Sequence, residues 1–145
     1  MSRVEVKPYQ PWHAEGLMLP GLAGEPVVMN EVLAPILARG EAASLFLEGE
    51  LAGVAGLALC WPGVAEAWFG PTVVTRRASL GVIKALDLAL RKTAGRLSLH
   101  RVGASILKSN RTAARFAEVL RFEREGTMKQ FGPQRQDFLR YARLF

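Results

Sequence analysis

Two adjacent arginines stand at the entrance of the best predicted helix in this 145-residue sequence. Residues 76–81 read R-R-A-S-L-G, and leucine and isoleucine then recur at helical spacing as far as Ala94. The first turn of a helix presents unbonded N–H groups and the positive end of its dipole, which together bind phosphate. Ser79 is also a good N-cap, so a plain capped helix is the alternative interpretation.

Charge is distributed unevenly along the chain. Residues 1–75 hold three basic and eight acidic side chains, whereas residues 76–145 hold sixteen basic and five acidic ones. This polarity predicts a polyanionic partner for the C-terminal half: a nucleotide cofactor, nucleic acid or an acidic protein surface. A solvated basic face is the simpler alternative. No base-reading motif accompanies the cations, so nucleic acid is the least favoured of the three partners, although it stays open.

Other kinds of chemistry find little support in the residue types. A single cysteine excludes an intramolecular disulfide and a thiolate zinc cluster, and two histidines without further ligands predict no metal site. Cys60 lies between Leu59 and Trp61 in an apolar run, which predicts a buried, unreactive thiol. The sequence contains no P-loop and no nucleophile elbow.

Length and composition indicate one globular domain over residues 1–145. Half of the residues are hydrophobic and 22% are charged, which excludes a disordered chain. No apolar run reaches the roughly 18 residues of a membrane span, and the N-terminus shows no secretory signal. We therefore expect no membrane partner and a cytoplasmic location. The oligomeric state is not predicted.

The hydrophobic pattern alternates between strand and helix periods in the order β-α-α-β-β-β-α-β-α-β-β. An antiparallel meander followed by a strand–helix–strand unit predicts an α+β fold with a mixed, mostly antiparallel sheet. The predicted strands are residues 2–8, 44–48, 51–61, 64–74, 99–107, 122–131 and 137–144. The predicted helices are residues 11–18, 28–38, 79–94 and a last one from Asn110, with a loop at 20–26 and a turn at 49–50.

Residues 110–126 read N-R-T-A-A-R-F-A-E-V-L-R-F-E-R-E-G. This segment has an Asn, an Ala three residues later, an amphipathic helix, a phenylalanine at Phe122 and a Glu-Gly pair. Together with the element order, it resembles the GNAT superfamily of N-acetyltransferases. The resemblance covers the whole chain and implies a GNAT-like sheet with helices on both faces. It also implies an acetyl-CoA-dependent N-acyltransferase, with acetyl-CoA as acyl donor and an amine or protein acceptor that the sequence does not identify.

The family binds acetyl-CoA through a Gln/Arg-x-x-Gly-x-Gly/Ala turn. Arg76 and Gly81 match this pattern, while Ser79 replaces the first glycine. The resemblance implies that Val73 and Val74 are strand residues beside the pantetheine arm. It implies that the pyrophosphate-binding turn consists of Arg76, Arg77, Ser79, Leu80 and Gly81. It also implies that Asn110 supports the far wall of the site.

The catalytic positions depart from the family pattern. Family members often use a carboxylate on a central strand as proton acceptor, which makes Glu66 the catalytic candidate. They also often place a tyrosine seven residues after the Asn, where this chain has Ala117, and neither Tyr9 nor Tyr141 occupies that position.

This departure keeps an alternative open. Residues 53–61, 66–69 and 137–143 look like parts of small GNAT-like proteins of tailed bacteriophages. The alternative is therefore a non-catalytic phage GNAT-like protein that acts in virion assembly or protein binding, located in the host cytoplasm or the virion.

Overall fold

The computed structural model describes residues 3–14, 18–20, 26–28 and 40–145. Within these ranges, the strands are β1 (Val4–Pro8), β2 (Met18–Pro20), β3 (Pro26–Val28), β4 (Glu41–Leu47), β5 (Glu50–Trp61), β6 (Val64–Pro71), β7 (Arg101–Leu107), β8 (Glu123–Met128) and β9 (Phe138–Leu144). The helices are α1 (Pro11–Ala14), α2 (Val73–Arg77), α3 (Ser79–Arg96) and α4 (Arg111–Val119).

Seven of the strands form one sheet in the order β1-β4-β5-β6-β7-β9-β8, and β2 pairs with β3 separately. Neighbouring strands of the large sheet are antiparallel except for β6 and β7, which are parallel. A two-residue turn at Glu48 and Gly49, both with positive φ, joins β4 to β5 and favours the twist of a tight hairpin. The predicted α+β fold with a mixed, mostly antiparallel sheet is confirmed.

The apolar core lies between one face of the sheet and helices α3 and α4. Alternate strand residues such as Ala65, Val102 and Tyr141 are buried against these helices. A second cluster around Leu45 and Val82 continues the core towards β1. Helix α1 lies on the opposite face, because His13 Nδ1 is 2.8 Å from the Oγ atom of Ser44, the residue before Leu45.

Several predicted boundaries are wrong. Strand β6 ends at Pro71, so Val73 and Val74 are not strand residues. The first predicted helix ends at Ala14, and β2 and β3 occupy both ends of the predicted loop. Val28 ends β3, and residues 29–38 of the second predicted helix lie outside the described residues.

Cys60 is exposed, so its predicted burial is also wrong. Strand β5 is long, and its last residues, Ala58–Trp61, extend beyond the cover of the helices. The alternating apolar pattern of a strand does not reveal where its cover ends.

The outermost strand β8 has a charged and irregular edge. Glu123, Arg124 and Glu125 are exposed, and the pairing register with β9 shifts between Arg124 and Gly126. A bulge of this kind bends an edge strand away from a flat ladder.

Candidate functional site

The two parallel strands at the centre of the sheet separate after a short contact. Strands β6 and β7 pair only from Val64 opposite Arg101 to Glu66 opposite Gly103. Beyond that point β6 continues to Pro71 beside β5, and β7 continues to Leu107 beside β9. The carboxyl ends of two parallel strands lie at the same end of a sheet, and a gap there is a common place for a ligand. Helices α2, α3 and α4 all begin at this end.

Helix α2 is fixed to β5 by two threonines. Thr72 is its N-cap: its hydroxyl accepts from the N–H of Val74 (3.2 Å) and donates to the carbonyl of Leu51 (2.7 Å). The hydroxyl of the buried Thr75 accepts from the N–H of Thr72 (3.0 Å) and donates to the carbonyl of Ala52. These bonds set the direction of α2 and thus of the arginines in its last turn.

The residues predicted to flank a cofactor arm therefore belong to a capped helical turn. Thr72 satisfies the first N–H groups of α2, which explains why the chain turns helical at Val73 despite two β-branched valines. Val73 is 85% exposed, whereas Val74 is buried in the core. Of the two valines, only Val73 can contact a ligand at the surface.

The long helix α3 begins without a side-chain cap. Its N-cap is Ala78 and not the predicted Ser79, because the Ala78 carbonyl accepts the N–H of Val82 at 2.8 Å. Ser79 and Leu80 are exposed in the first turn, which contains no acidic residue. The positive end of this helix thus has no side-chain cap among the described residues.

Gly81 has a packing role in this turn. A Cβ atom at Gly81 would lie 3.0 Å from Cγ2 of Val4 on β1. The glycine therefore permits close contact between α3 and the edge of the sheet. This contact explains the glycine without a ligand.

The two arginines of α2 differ in their surroundings. Arg77 forms an ion pair with Glu50 at 2.6 Å, and both side chains are more than half exposed. Arg76 is exposed and makes no hydrogen bond or ion pair with any described residue. Arg76 is the arginine whose guanidinium is available to an anion.

Further unpaired cations lie near the same end of the sheet. Within the described ranges they make no ion pair, and all of them are exposed. Together with Arg76 at the end of α2, they lie on the first turns of α3 and around the start of α4. We call these five residues the cationic rim: Arg76, Lys84, Lys108, Arg111 and Arg115. Five of the sixteen basic residues of the C-terminal half therefore lie on elements that end or begin beside the gap between β6 and β7.

Asn110 is the N-cap of α4. Its Oδ1 atom accepts from the N–H of Ala113 at 3.1 Å. The three-residue spacing of the sequence motif thus corresponds to a local capping bond. Asn110 places the first turn of α4 beside the end of β7.

Glu66 lies at the base of the gap, and its carboxylate is occupied. Oε2 accepts from Nη1 of Arg140 at 2.7 Å, and Oε1 accepts from Nη2 of the same guanidinium. The hydrogen bond to Glu66 raises the pKa of Arg140. Arg140 Nη1 also donates to Ser105 Oγ at 3.1 Å. Sequence reasoning missed Arg140 and Ser105, because nothing local links β9 to β6.

The position of the missing tyrosine is part of the core. Ala117 is 7% exposed and packs among residues that include Leu120 and Tyr141. The hydroxyl of Tyr141 donates to Glu118 Oε1 at 3.0 Å, and burial, with a further contribution from Glu118, raises the pKa of this tyrosine. Tyr141 lies on β9, and β7 separates it from the gap.

An aromatic pair connects the far part of β6 to α4. The rings of Phe69 and Phe116 stack with centroids 4.9 Å apart and planes at 14°. Phe69 lies beyond the point where β6 and β7 separate, on the face covered by α3 and α4. The stack therefore bridges the two sides of the gap on the helical face.

The structure brings most of the predicted site residues together. Those on α2 and α3 are consecutive, Asn110 lies at the same end of the sheet, and Glu66 lies at the base of the gap. Among the described residues, no group of three potential metal ligands occurs. Within the same ranges, no helix is long and apolar enough to cross a membrane.

No protein-family model and no curated protein matches the chain. Solved structures do match it. Ard1 from Thermoplasma volcanium superposes with a TM-score of 0.81 at 15% identity and 97% coverage of each chain. A GNAT-family acetyltransferase from Bacillus anthracis has a TM-score of 0.76 at 18% identity, over 99% of this chain and 98% of that one.

A third structure contains a ligand. RimL, a ribosomal-protein α-N-acetyltransferase in complex with coenzyme A, has a TM-score of 0.64 at 21% identity. The match covers 72% of this chain and 61% of that chain. Together, these similarities show that the chain has the fold of the GNAT acetyltransferases.

Proposed function

We propose that this protein binds a coenzyme A thioester and transfers its acyl group to an amine. The observation that carries the proposal is the unpaired Arg76 beside the uncapped start of α3, at the open end of the gap between β6 and β7. In a chain with this fold, that arrangement fits a diphosphate. RimL in complex with coenzyme A has the same fold, which supports the choice of ligand.

The residues of this chain would hold such a ligand at three places. The N–H groups of Ser79, Leu80 and Gly81 and the guanidinium of Arg76 bind the diphosphate through charge-assisted hydrogen bonds. The rest of the cationic rim attracts the anion from solution. Beyond Glu66, the side of β6 that faces β7 has no partner strand, so its backbone groups can bond to an extended arm.

Val73 fits the proposal as a surface contact at the outer end of this arm, and Asn110 as the cap that holds α4 in place. Val74 supports the site only from the core. Arg77 contributes charge but is already paired with Glu50. Of the predicted cofactor residues, Arg76 is thus the one whose removal affects binding most directly.

The chemistry at the base of the gap relies on positioning. The bound thioester supplies an activated acyl group, and a neutral amine can attack it directly when the two are held close together. Both oxygens of Glu66 accept from Arg140, and protonation of this carboxylate would weaken these two charge-assisted hydrogen bonds. Water is the proton acceptor that this geometry favours.

A second candidate function is binding without catalysis. The ion-paired carboxylate of Glu66 and the buried Ala117 favour it, because the first is held by Arg140 and the second has no acidic group. A phage origin with a role in virion assembly belongs to this alternative and depends on the sequence resemblance alone. A cytoplasmic location is proposed with either function.

Thermal unfolding with increasing acetyl-CoA tests the proposal. A ligand that binds only the folded chain stabilises it by about 2.7 kcal/mol at one hundred times its Kd. For a domain of this size, that raises Tm by roughly 5–10 °C. We expect Arg76→Glu to abolish most of this shift.

Arg121→Glu is the matched control. Arg121 is exposed and unpaired among the described residues, and it lies beyond the opposite end of α4. The two substitutions change the net charge equally, so a difference between them reports the site and not total charge. No shift at millimolar acetyl-CoA in the unaltered chain contradicts the proposal.

Release of free thiol with a panel of amines then separates the two functions. Acetyl-CoA binding without thiol release supports the non-catalytic alternative. DNA retention that depends steeply on salt and ignores acetyl-CoA would instead indicate a nucleic-acid partner.

A further inference from the structure

The two parts of the large sheet are joined by a narrow contact. Strands β1, β4, β5 and β6 form one part, and β7, β9 and β8 form the other. Between them, the backbone ladder comprises three residue pairs, whereas β5–β6 and β7–β9 are paired over most of their length. The angle between the two parts therefore depends strongly on side chains near this contact.

Glu66 and Arg140 connect the two parts at the last of the three pairs. We call this ion pair the clasp. Glu66 lies on β6 and Arg140 on β9, so the clasp crosses over β7 at Gly103. It lies on the sheet face opposite α3 and α4, while the Phe69–Phe116 stack joins the two parts on the helical face.

Gly103 makes this crossing possible. A Cβ atom at Gly103 would lie 2.7 Å from Oε1 of Glu66 and 2.9 Å from Cζ of Arg140. Any larger residue would push the two side chains apart. The glycine is best explained by the clasp, because its φ is not in the left-handed region.

A comparable ion pair does not cross the narrow contact. Arg101 on β7 donates to both oxygens of Glu125 on β8, which raises the pKa of Arg101 and lowers that of Glu125. Both residues belong to the same part of the sheet, although Arg101 lies at the narrow contact and interacts electrostatically with Glu66. The Arg101–Glu125 pair therefore has similar charges at the same place but does not join the two parts, which makes it a control for the crossing itself.

We propose that Arg140 is a positioning residue: through Glu66 it fixes the separation of β6 and β7 at the base of the gap and so preorganises the gap for a coenzyme A thioester. This inference rests on the proposed function. Both partners are about two-thirds or more buried, and they share two charge-assisted hydrogen bonds, so the pair is screened less than an exposed one.

The position of the clasp increases its effect. Pro71 is the fifth residue after Glu66, which corresponds to about 17 Å of strand. A rotation of about 5° at Glu66 would thus move the outer end of β6 by about 1.5 Å relative to β7. Preorganised sites lose affinity when their walls must be brought together on binding.

The test measures the affinity for coenzyme A by calorimetry well below the unfolding temperature. Arg140→Gln removes the charge of the clasp, and Gly103→Ala separates the pair while keeping both charges. We expect each to raise Kd about tenfold, equivalent to about 1.4 kcal/mol. Arg101→Gln should change Kd less than twofold, and the reversed pair Glu66→Arg with Arg140→Glu should recover most of the affinity.

If the chain proves catalytic, Arg140→Gln should raise KM for acetyl-CoA and leave kcat nearly unchanged. A purely structural role would lower Tm without this selective change. Unaltered affinity in both Arg140→Gln and Gly103→Ala overturns the clasp alone, as does an equal loss in Arg101→Gln. Absence of coenzyme A binding by the unaltered chain overturns the proposed function and with it the positioning role.

Hydrogen exchange without ligand gives an independent measurement. Loss of the clasp should speed the exchange of the amides at 64–66 and 101–103 relative to those between β7 and β9. Equal protection in the variants and the unaltered chain would show that the clasp does not hold the two parts together.

Discussion

Replacing Thr75 by valine should weaken the attachment of helix α2 to the sheet. The side chain is 8% exposed, and valine has nearly the same shape but no hydroxyl. The substitution removes the bond to the Ala52 carbonyl and the bond from the Thr72 N–H. Both backbone groups would then lack their partner, one of them in the core.

The expected cost follows from these two bonds. A buried polar group without its partner costs about 1–3 kcal/mol, and loss of a helix cap costs about 1 kcal/mol. We expect Thr75→Val to lower the free energy of unfolding by about 3 kcal/mol. For a domain of this size, Tm should fall by roughly 6–12 °C. Coenzyme A affinity should fall as well, because α2 aims Arg76.

Urea unfolding followed by circular dichroism gives the free energy, and calorimetry gives the affinity. Thr112→Val is the matched control, since Thr112 is an exposed residue of α4 with no bond to a described residue. It should change the free energy by no more than about 0.5 kcal/mol. A Thr75→Val protein as stable as the Thr112→Val protein would refute this account of α2.

Three further variants test other parts of the structure. The hydrogen bond from Arg143 lowers the pKa of Asp87, so its stabilising effect is present above the unfolded value near pH 4 and is lost as pH falls through the lower folded pKa. The urea midpoint of Asp87→Asn should therefore vary less between about pH 5 and pH 2 than that of the unaltered chain; an identical slope would contradict the assignment. Ala117→Tyr should destabilise the core by about 1–3 kcal/mol and leave any transferase activity no higher, because this position is buried. Tyr141→Phe should cost less than about 1 kcal/mol in urea unfolding, since water can replace the tyrosine hydroxyl as donor to the exposed Glu118.

The fold and the positions where its helices begin could largely be predicted because their signals are local. The Asn110 motif corresponds to a cap that bonds three residues along the chain, and the turn at Gly49 lies between two alternating strands. The start of α2 also has a local signal, because Thr72 and Thr75 have the spacing of a capping box. The β-branched Val73 and Val74 nevertheless favour a strand, which is why the predicted strand extends too far.

The clasp could not be predicted in this way. Glu66 and Arg140 are 74 residues apart, and only the strand order brings them together. Gly103 shows no turn or positive φ that would mark it in the sequence; its role becomes visible once both side chains are placed. The exposure of Cys60 could not be predicted for a related reason: burial depends on which helix covers a strand and not on the residues of the strand itself.

The outer strand β8 has a consequence for self-association. Its bulge and its three consecutive charged residues leave no regular row of backbone groups for a strand of another molecule. At the other margin, β1 ends at Pro8, which has no N–H to donate. The β8 margin is therefore poorly suited to continuing the ladder into a neighbouring copy, and Pro8 limits how far the β1 margin could do so.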